Sequence, residues 1–226
     1  MSESEAEEKN PRTPRQSENI PLYLSGDFSK ELNYKLWSTK GARFSAAERM
    51  RLKHRLSTRA VSFLAAYLIV FNLLEILILK SSATYAAEVQ TFINISLSVV
   101  ILVYSQLEAA GNYLLRFDRY HTCAMGVASL YNRLRQLKTT EKDVSIESRV
   151  KTISDEYEDF LARYENHEPI DFKIFKSQKP KYEDHNLNWF QVRVIKIEYY
   201  FRTSFFYHLS IFVPPIAIIA YLIWRP

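Results

Sequence analysis

The chain has one cysteine, four glycines and none of the short catalytic signatures in its 226 residues. A lone Cys123 excludes an intramolecular disulfide and a zinc site built on cysteines. It reads as a buried, inert thiol in a helix. There is no phosphate-binding P-loop, no dinucleotide-binding glycine motif, no nucleophile elbow and no zinc-protease helix motif. The acidic run Asp155, Glu156, Glu158 and Asp159 is more simply a solvated helix face than a carboxylate dyad, so no enzyme is expected. The shortage of glycine, with helical periodicity in the long segments, argues against strands.

What the sequence does have is long apolar runs. Residues 60–79 and 89–107 are joined by a short loop, 80–88. At about 1.5 Å per residue each run matches the ~30 Å hydrocarbon core of a bilayer. A third run covers 205–224. The expected fold is therefore an all-α integral membrane protein: a transmembrane hairpin, a small cytoplasmic helical bundle and a C-terminal third transmembrane helix. The expected divisions are a disordered tail at 1–22, a basic helical segment at 23–59, the hairpin at 60–107, a helical body at 108–204 and the third span at 205–224. The tail is rich in Glu, Ser, Pro and Arg and lacks the apolar core of a signal peptide.

Net charge is +5, and its distribution sets the expected topology. Lysines and arginines from Lys30 to Arg59 crowd the entry to the first span, whereas the hairpin loop offers only Lys80. Arg116, Arg119, Arg133, Arg135 and Lys138 follow the second span; Arg193, Lys196 and Arg202 precede the third. The positive-inside bias puts the N-terminus and central body in the cytoplasm and the C-terminus outside. The basic segment reads as a topology determinant touching anionic lipid. Nucleic-acid binding is the weaker alternative, because no stacking aromatics interleave the charges.

In the body, Tyr113, Phe117, Tyr120, Ala124, Val127, Tyr131 and Leu134 recur at helical spacing, which predicts that the second membrane helix projects onward as a stalk. Val150, Ile153, Tyr157, Phe160 and Tyr164 form a second stripe, with Asp143 or Ser145 as caps and Pro169 as its end. Residues 170–186 read as loop, and Leu187, Phe190, Val194, Ile197 and Phe201 as a third amphipathic helix. The basic segment is expected to be helical with a break near Gly41.

Three local patterns stand out. Asn72 and Glu75 share a face on the first span, and Thr91, Asn94, Ser98 and Ser105 form a stripe on the second. Such groups avoid lipid; they are either interhelical hydrogen-bonding glue or the lining of a pore in an oligomer. His121, His167, Asp171 and His185 include metal-ligating types but no close pair, so hydrogen bonding between helices is the simpler reading and neither metal nor cofactor is expected. Pro214 and Pro215 fall mid-span and predict a kinked crossing helix, with freed carbonyls near Ser210 and Ile211 met by neighbouring helices or water. The alternative, a re-entrant loop, leaves halves of only about ten residues, too short to span the core alone.

The order of polar positions around the hairpin carries a resemblance. Trp37, Thr39, Arg43 and Arg49 precede it. Arg119-Tyr120-His121 and Leu130 to Leu134 follow. Tyr164-Glu165-Asn166-His167 and Asp171 come later. This arrangement resembles the SLATT family, the SMODS- and SLOG-associating two-transmembrane effectors of bacteria, over about residues 32–175. The resemblance implies an effector of bacterial conflict systems in the inner membrane. It further implies that the protein oligomerises to form a pore or breach the membrane when phage is sensed. The gene neighbour would be a reverse transcriptase or a nucleotide second-messenger synthase. The partners expected are the lipid bilayer, further copies of the chain and the product of that neighbouring gene, with no direct nucleic-acid contact. The competing reading is a membrane-anchored adaptor that recruits a defence enzyme.

Overall fold

The computed structural model describes residues 27–78, 84–140, 146–182 and 185–224. The expected tail, residues 80–83 of the hairpin loop and the two candidate caps at 143 and 145 lie outside them, and residues 84–88, expected as loop, are the first turns of a helix. The described residues form helices α1 (Phe28–Ile78), α2 (Thr84–Ala110), α3 (Tyr113–Thr140), α4 (Ile146–Leu161), α5 (Pro169–Gln178), α6 (Trp189–Tyr200) and α7 (Phe206–Trp224). A π-helical turn, Phe201–Phe205, joins α6 to α7. No strand occurs among the described residues. Three helices carry stretches long and apolar enough to cross a membrane, so the chain is an all-α membrane protein.

The basic segment and the first span are one helix of 51 residues, about 75 Å long. Gly41 does not break it. A Cβ at Gly41 would collide with the Phe175 ring, so the glycine is there to let α5 press against the backbone of α1. The other side of α1 uses small residues for the same end: Ala42, Ala46 and Ala47 are fully buried. Ala46, Ala47 and Met50 pack on Tyr120 of α3, flanked by Tyr113 and Phe117. Nearer the N-terminus, Leu32 and Leu36 meet Cys123, Val127, Leu130 and Leu134 of α3 and Val150, Ile153 and Tyr157 of α4. The α4 stripe and the later half of the α3 stripe thus face one core, and the first half of the α3 stripe packs in a second cluster.

Three expectations about the body are corrected. The stalk is not continuous with the second span. α2 stops at Ala110, and the chain turns through Gly111 and Asn112, whose φ is 46°, a left-handed conformation that asparagine tolerates. Pro169 starts a helix instead of ending one. It occupies the first turn of α5, where its missing N–H costs nothing, and Glu168 and Asp171 form a reciprocal capping box around it. Residues 170–178 are therefore helix, and the body has more than three helical pieces.

The membrane end is sparser. Leu56 and Ala60 of α1 pack on Tyr207 and Ile211 of α7. No described residue of α2 is buried. Helix α7 runs through Pro214 and Pro215. Pro215 removes the donor that Ile211 would otherwise receive, and Tyr67 of α1 replaces it, its hydroxyl donating to the Ile211 carbonyl at 3.0 Å. The expected neighbour for the freed carbonyl is thus a tyrosine of the first span.

Candidate functional site

The polar residues singled out from the sequence converge on the elbow between α4 and α5. Arg49 is 1% exposed and Asp171 0%. Arg49 donates from Nε to Asp171 Oδ1 at 2.7 Å and from its second terminal nitrogen to Oδ2 at 2.9 Å. Its remaining nitrogen reaches Glu168 Oε1 at 2.9 Å. The planar fork is thus fully used. Asp171 Oδ2 also accepts the Glu168 backbone N–H at 3.0 Å, so one carboxylate both caps α5 and pins it to α1. Burial opposes the Arg49 charge, but the bonds and charges of Asp171 and Glu168 outweigh it and raise the guanidinium pKa.

Arg43, two turns earlier on α1, is 3% exposed and donates to the Glu165 carbonyl. Tyr120 of α3 donates to the Asn166 carbonyl at 3.2 Å, and Asn166 Oδ1 accepts the His167 N–H at 2.9 Å. The elbow carbonyls are therefore held by side chains from two helices. His167 is half-buried, and its Nδ1 is buried without a hydrogen bond. Burial, then the neighbouring Arg43 charge, pushes its pKa below the usual imidazole value despite Asp171.

Trp37 anchors the far end of α5. Its ring meets Phe175 at 4.8 Å and Tyr182 at 4.9 Å and stacks on His185 at 5.7 Å. His185 is 5% exposed, with Nε2 3.3 Å from the Tyr34 hydroxyl and Nδ1 3.0 Å from the Lys179 carbonyl. His121 does not join this assembly. It is exposed and contacts the rings of Phe117 and Phe44. Among the described residues no group of three or more His, Cys, Asp or Glu is placed to hold a metal ion.

The intramembrane positions are arranged differently. Asn72 donates to the Leu68 carbonyl of its own helix at 2.8 Å. Ser98 donates to the Asn94 carbonyl at 2.7 Å, again within one helix. Thr91 is exposed and Asn94 half-buried. The Glu75 side chain lies outside the described residues.

A junction that sequence reading missed lies between body and membrane. Tyr207 of α7 donates to Glu108 Oε2 of α2 at 2.9 Å, and its hydroxyl lies 3.4 Å from that of Tyr113 on α3. Lys53 of α1 sits over the Tyr113 ring at 5.8 Å. Burial, then the charge of Arg49, lowers the Lys53 pKa. Beside this junction a cleft of about 860 Å³ opens between α1, α2 and α3, lined by His54, Ser62, Glu108 and Phe117 among others. The signal was there in Glu108, the one acid at the end of an apolar helix, but its partner lies 99 residues away.

The buried clamp and the first span share one helix. Arg49 stands eleven residues before Ala60, about 16 Å along the axis, so a displacement of α5 against α1 acts on the membrane segment directly. In comparison with known proteins, the model of SMODS and SLOG-associating 2TM effector domain family 5 matches residues 25–221. The match includes α5, α6 and most of α7. No curated protein and no solved structure matches the chain.

Proposed function

The chain belongs to SMODS and SLOG-associating 2TM effector domain family 5, membrane-associated effectors of conflict systems, and we propose that it is a pore-forming or membrane-disrupting effector of anti-phage defence. In this reading it sits dormant in the bacterial inner membrane as a homo-oligomer. Its N-terminus and body are cytoplasmic and its C-terminus periplasmic. A cytoplasmic cue, produced by a neighbouring reverse transcriptase or nucleotide second-messenger synthase, rearranges the body and opens an aqueous path. The action is mechanical and not enzymatic, and it ends in abortive infection. One observation carries the proposal: α1 runs unbroken from the Arg43–Arg49 clamp into the first span. Signal and membrane thus meet on a single helix.

One hairpin and one further span cannot enclose a water-filled path, so the pore reading requires several copies. Thr91, Asn94 and Ser98 on α2 and Asn72 and Glu75 on α1 are the side chains for its lining. The test is membrane potential. Phage challenge of cells carrying the protein with its neighbouring gene is expected to depolarise them, and Glu75→Leu to abolish that effect while the protein still inserts. An adaptor would behave otherwise: its body fused to an unrelated span would keep the full defence phenotype. A periplasm-active reporter is expected to work after Pro226 and to be silent at Thr140; the reverse pattern would overturn the topology.

A further inference from the structure

Helix α6, the π-helical turn and α7 carry a line of exposed apolar side chains that no other described residue covers. On α6 it consists of Phe190, Val194, Ile197 and Phe201, with exposures of 66%, 46%, 55% and 55%. Their spacings of four, three and four are those of a two-helix seam. On α7 the same alternation continues through Leu209, Phe212, Ile216 and Ile219, all exposed.

The two halves are out of step in the sequence. From Phe201 the next seam position falls at residue 204, a buried serine, and the apolar residue is instead Phe205. One residue too many separates the halves. The π-helical turn spans Phe201–Phe205, and such a turn absorbs one extra residue. The Phe201 and Phe205 rings accordingly lie 4.7 Å apart on one face. The irregularity thus keeps the line straight from end to end.

Lipid can cover the α7 half. It does not reach the α6 half, since Phe190 lies about 22 Å before the start of the third span. There Trp189, Phe190, Val194, Ile197 and Phe201 expose roughly 500 Å², at aromatic areas of 150–250 Å² each, near the upper end of what monomers leave bare. The flanking charges indicate what covers it. Arg193 and Glu198 border the line on opposite sides, five residues apart, where opposite charges meet across a parallel pair of helices. Glu198 also reaches Lys173 at 2.9 Å and Arg202 at 3.2 Å within the chain, so a second copy's Arg193 would join or replace those pairs. Copies inserted in one membrane by the same signals are parallel.

We infer that α6–α7 is a homotypic interface, a parallel seam with a second copy of this chain that runs from the body through the third span. The inference rests on the homo-oligomer reading above and assigns its contact to the third span, leaving the hairpin free to face a lumen. Cysteine crosslinking of the full-length Cys123→Ala protein in intact membranes tests it. Ile197→Cys, Phe201→Cys, Leu209→Cys and Phe212→Cys are expected to form disulfide-linked dimers on mild oxidation. Lys196→Cys and Val213→Cys, off the line, are expected to stay monomeric. Inserting one alanine after Arg202 adds a residue beyond the one that the π-helical turn absorbs and turns the α6 half by about 100°. That variant is expected to lose the Ile197→Cys dimer and keep the Phe212→Cys dimer. Equal crosslinking on and off the line, no dimer at any seam position, a crosslink to a different protein, or an Ile197→Cys dimer that survives the insertion would each overturn the interface. Depolarisation is a separate readout: seam dimers without induced depolarisation would leave the interface standing and remove the pore reading.

Discussion

The two ends of α1 are built on opposite terms. From Phe28 to Ala60 the helix is held on several sides, with two arginines bonded across to the α4–α5 elbow and a tryptophan packed into an aromatic box. From Val61 onward it touches little. Its polar Asn72 bonds within its own helix, and no described residue of its neighbour α2 is buried. The clamp end is therefore complete within a single chain, whereas the membrane half leaves its surface to lipid or to other copies. A signal has something definite to break at one end and something unfinished to rearrange at the other.

The sharpest way to break this contrast is to remove one partner of the buried pair. Asp171→Ala strands the Arg49 charge and uncaps α5 together, with an expected loss of about 3–5 kcal/mol. Thermal unfolding of the full chain in detergent reads it, and Asn72→Leu serves as the membrane-end control at under about 1 kcal/mol. A loss at Asn72 equal to that at Asp171 would erase the distinction. Next in size is Gly41→Leu, which drives a side chain into Phe175 and is expected to cost about 1–3 kcal/mol through overpacking.

Smaller again is the bond across the prolines. Tyr67→Phe is expected to cost about 1 kcal/mol. In a Pro215→Leu background the restored N–H serves Ile211 and the cost should vanish, which a double-mutant cycle measures.

The smallest effect is on pH. His167 has a lowered pKa in the folded body, so below the ordinary imidazole value of about 6.5 the unfolded chain binds the extra proton and the folded one does not. Stability is then full above that value and falls as pH drops through it. His167→Gln is expected to flatten the slope, as thermal unfolding across that pH range would show.

Much of this was legible in the sequence where the signal is local. Span length and the stripes of α3 and α4 follow from periodicity, whereas Arg43, Arg49, Asn166, His167 and Asp171 were marked by the order of polar positions that carries the family resemblance. What was not legible depends on partners far along the chain. Gly41 reads as a helix breaker until Phe175 is placed against it. Pro169 reads as a stop because a proline ends one helix and starts another with equal ease, and only the Glu168–Asp171 spacing marks the start. His121 shares its residue type with His167, but the sequence does not say which face of α3 it occupies. The extra residue between Phe201 and Phe205 is visible as broken spacing, yet reads as the end of a stripe until the π-helical turn restores it.

The most direct test joins the clamp to the membrane. Membrane potential is followed in cells carrying wild-type protein or Asp171→Asn, with membrane levels matched and no phage or activating gene present. Release of the buried clamp is expected to depolarise the cells without a trigger, while wild-type protein stays silent. Equal potentials at equal membrane levels would contradict the coupling of body to span through α1.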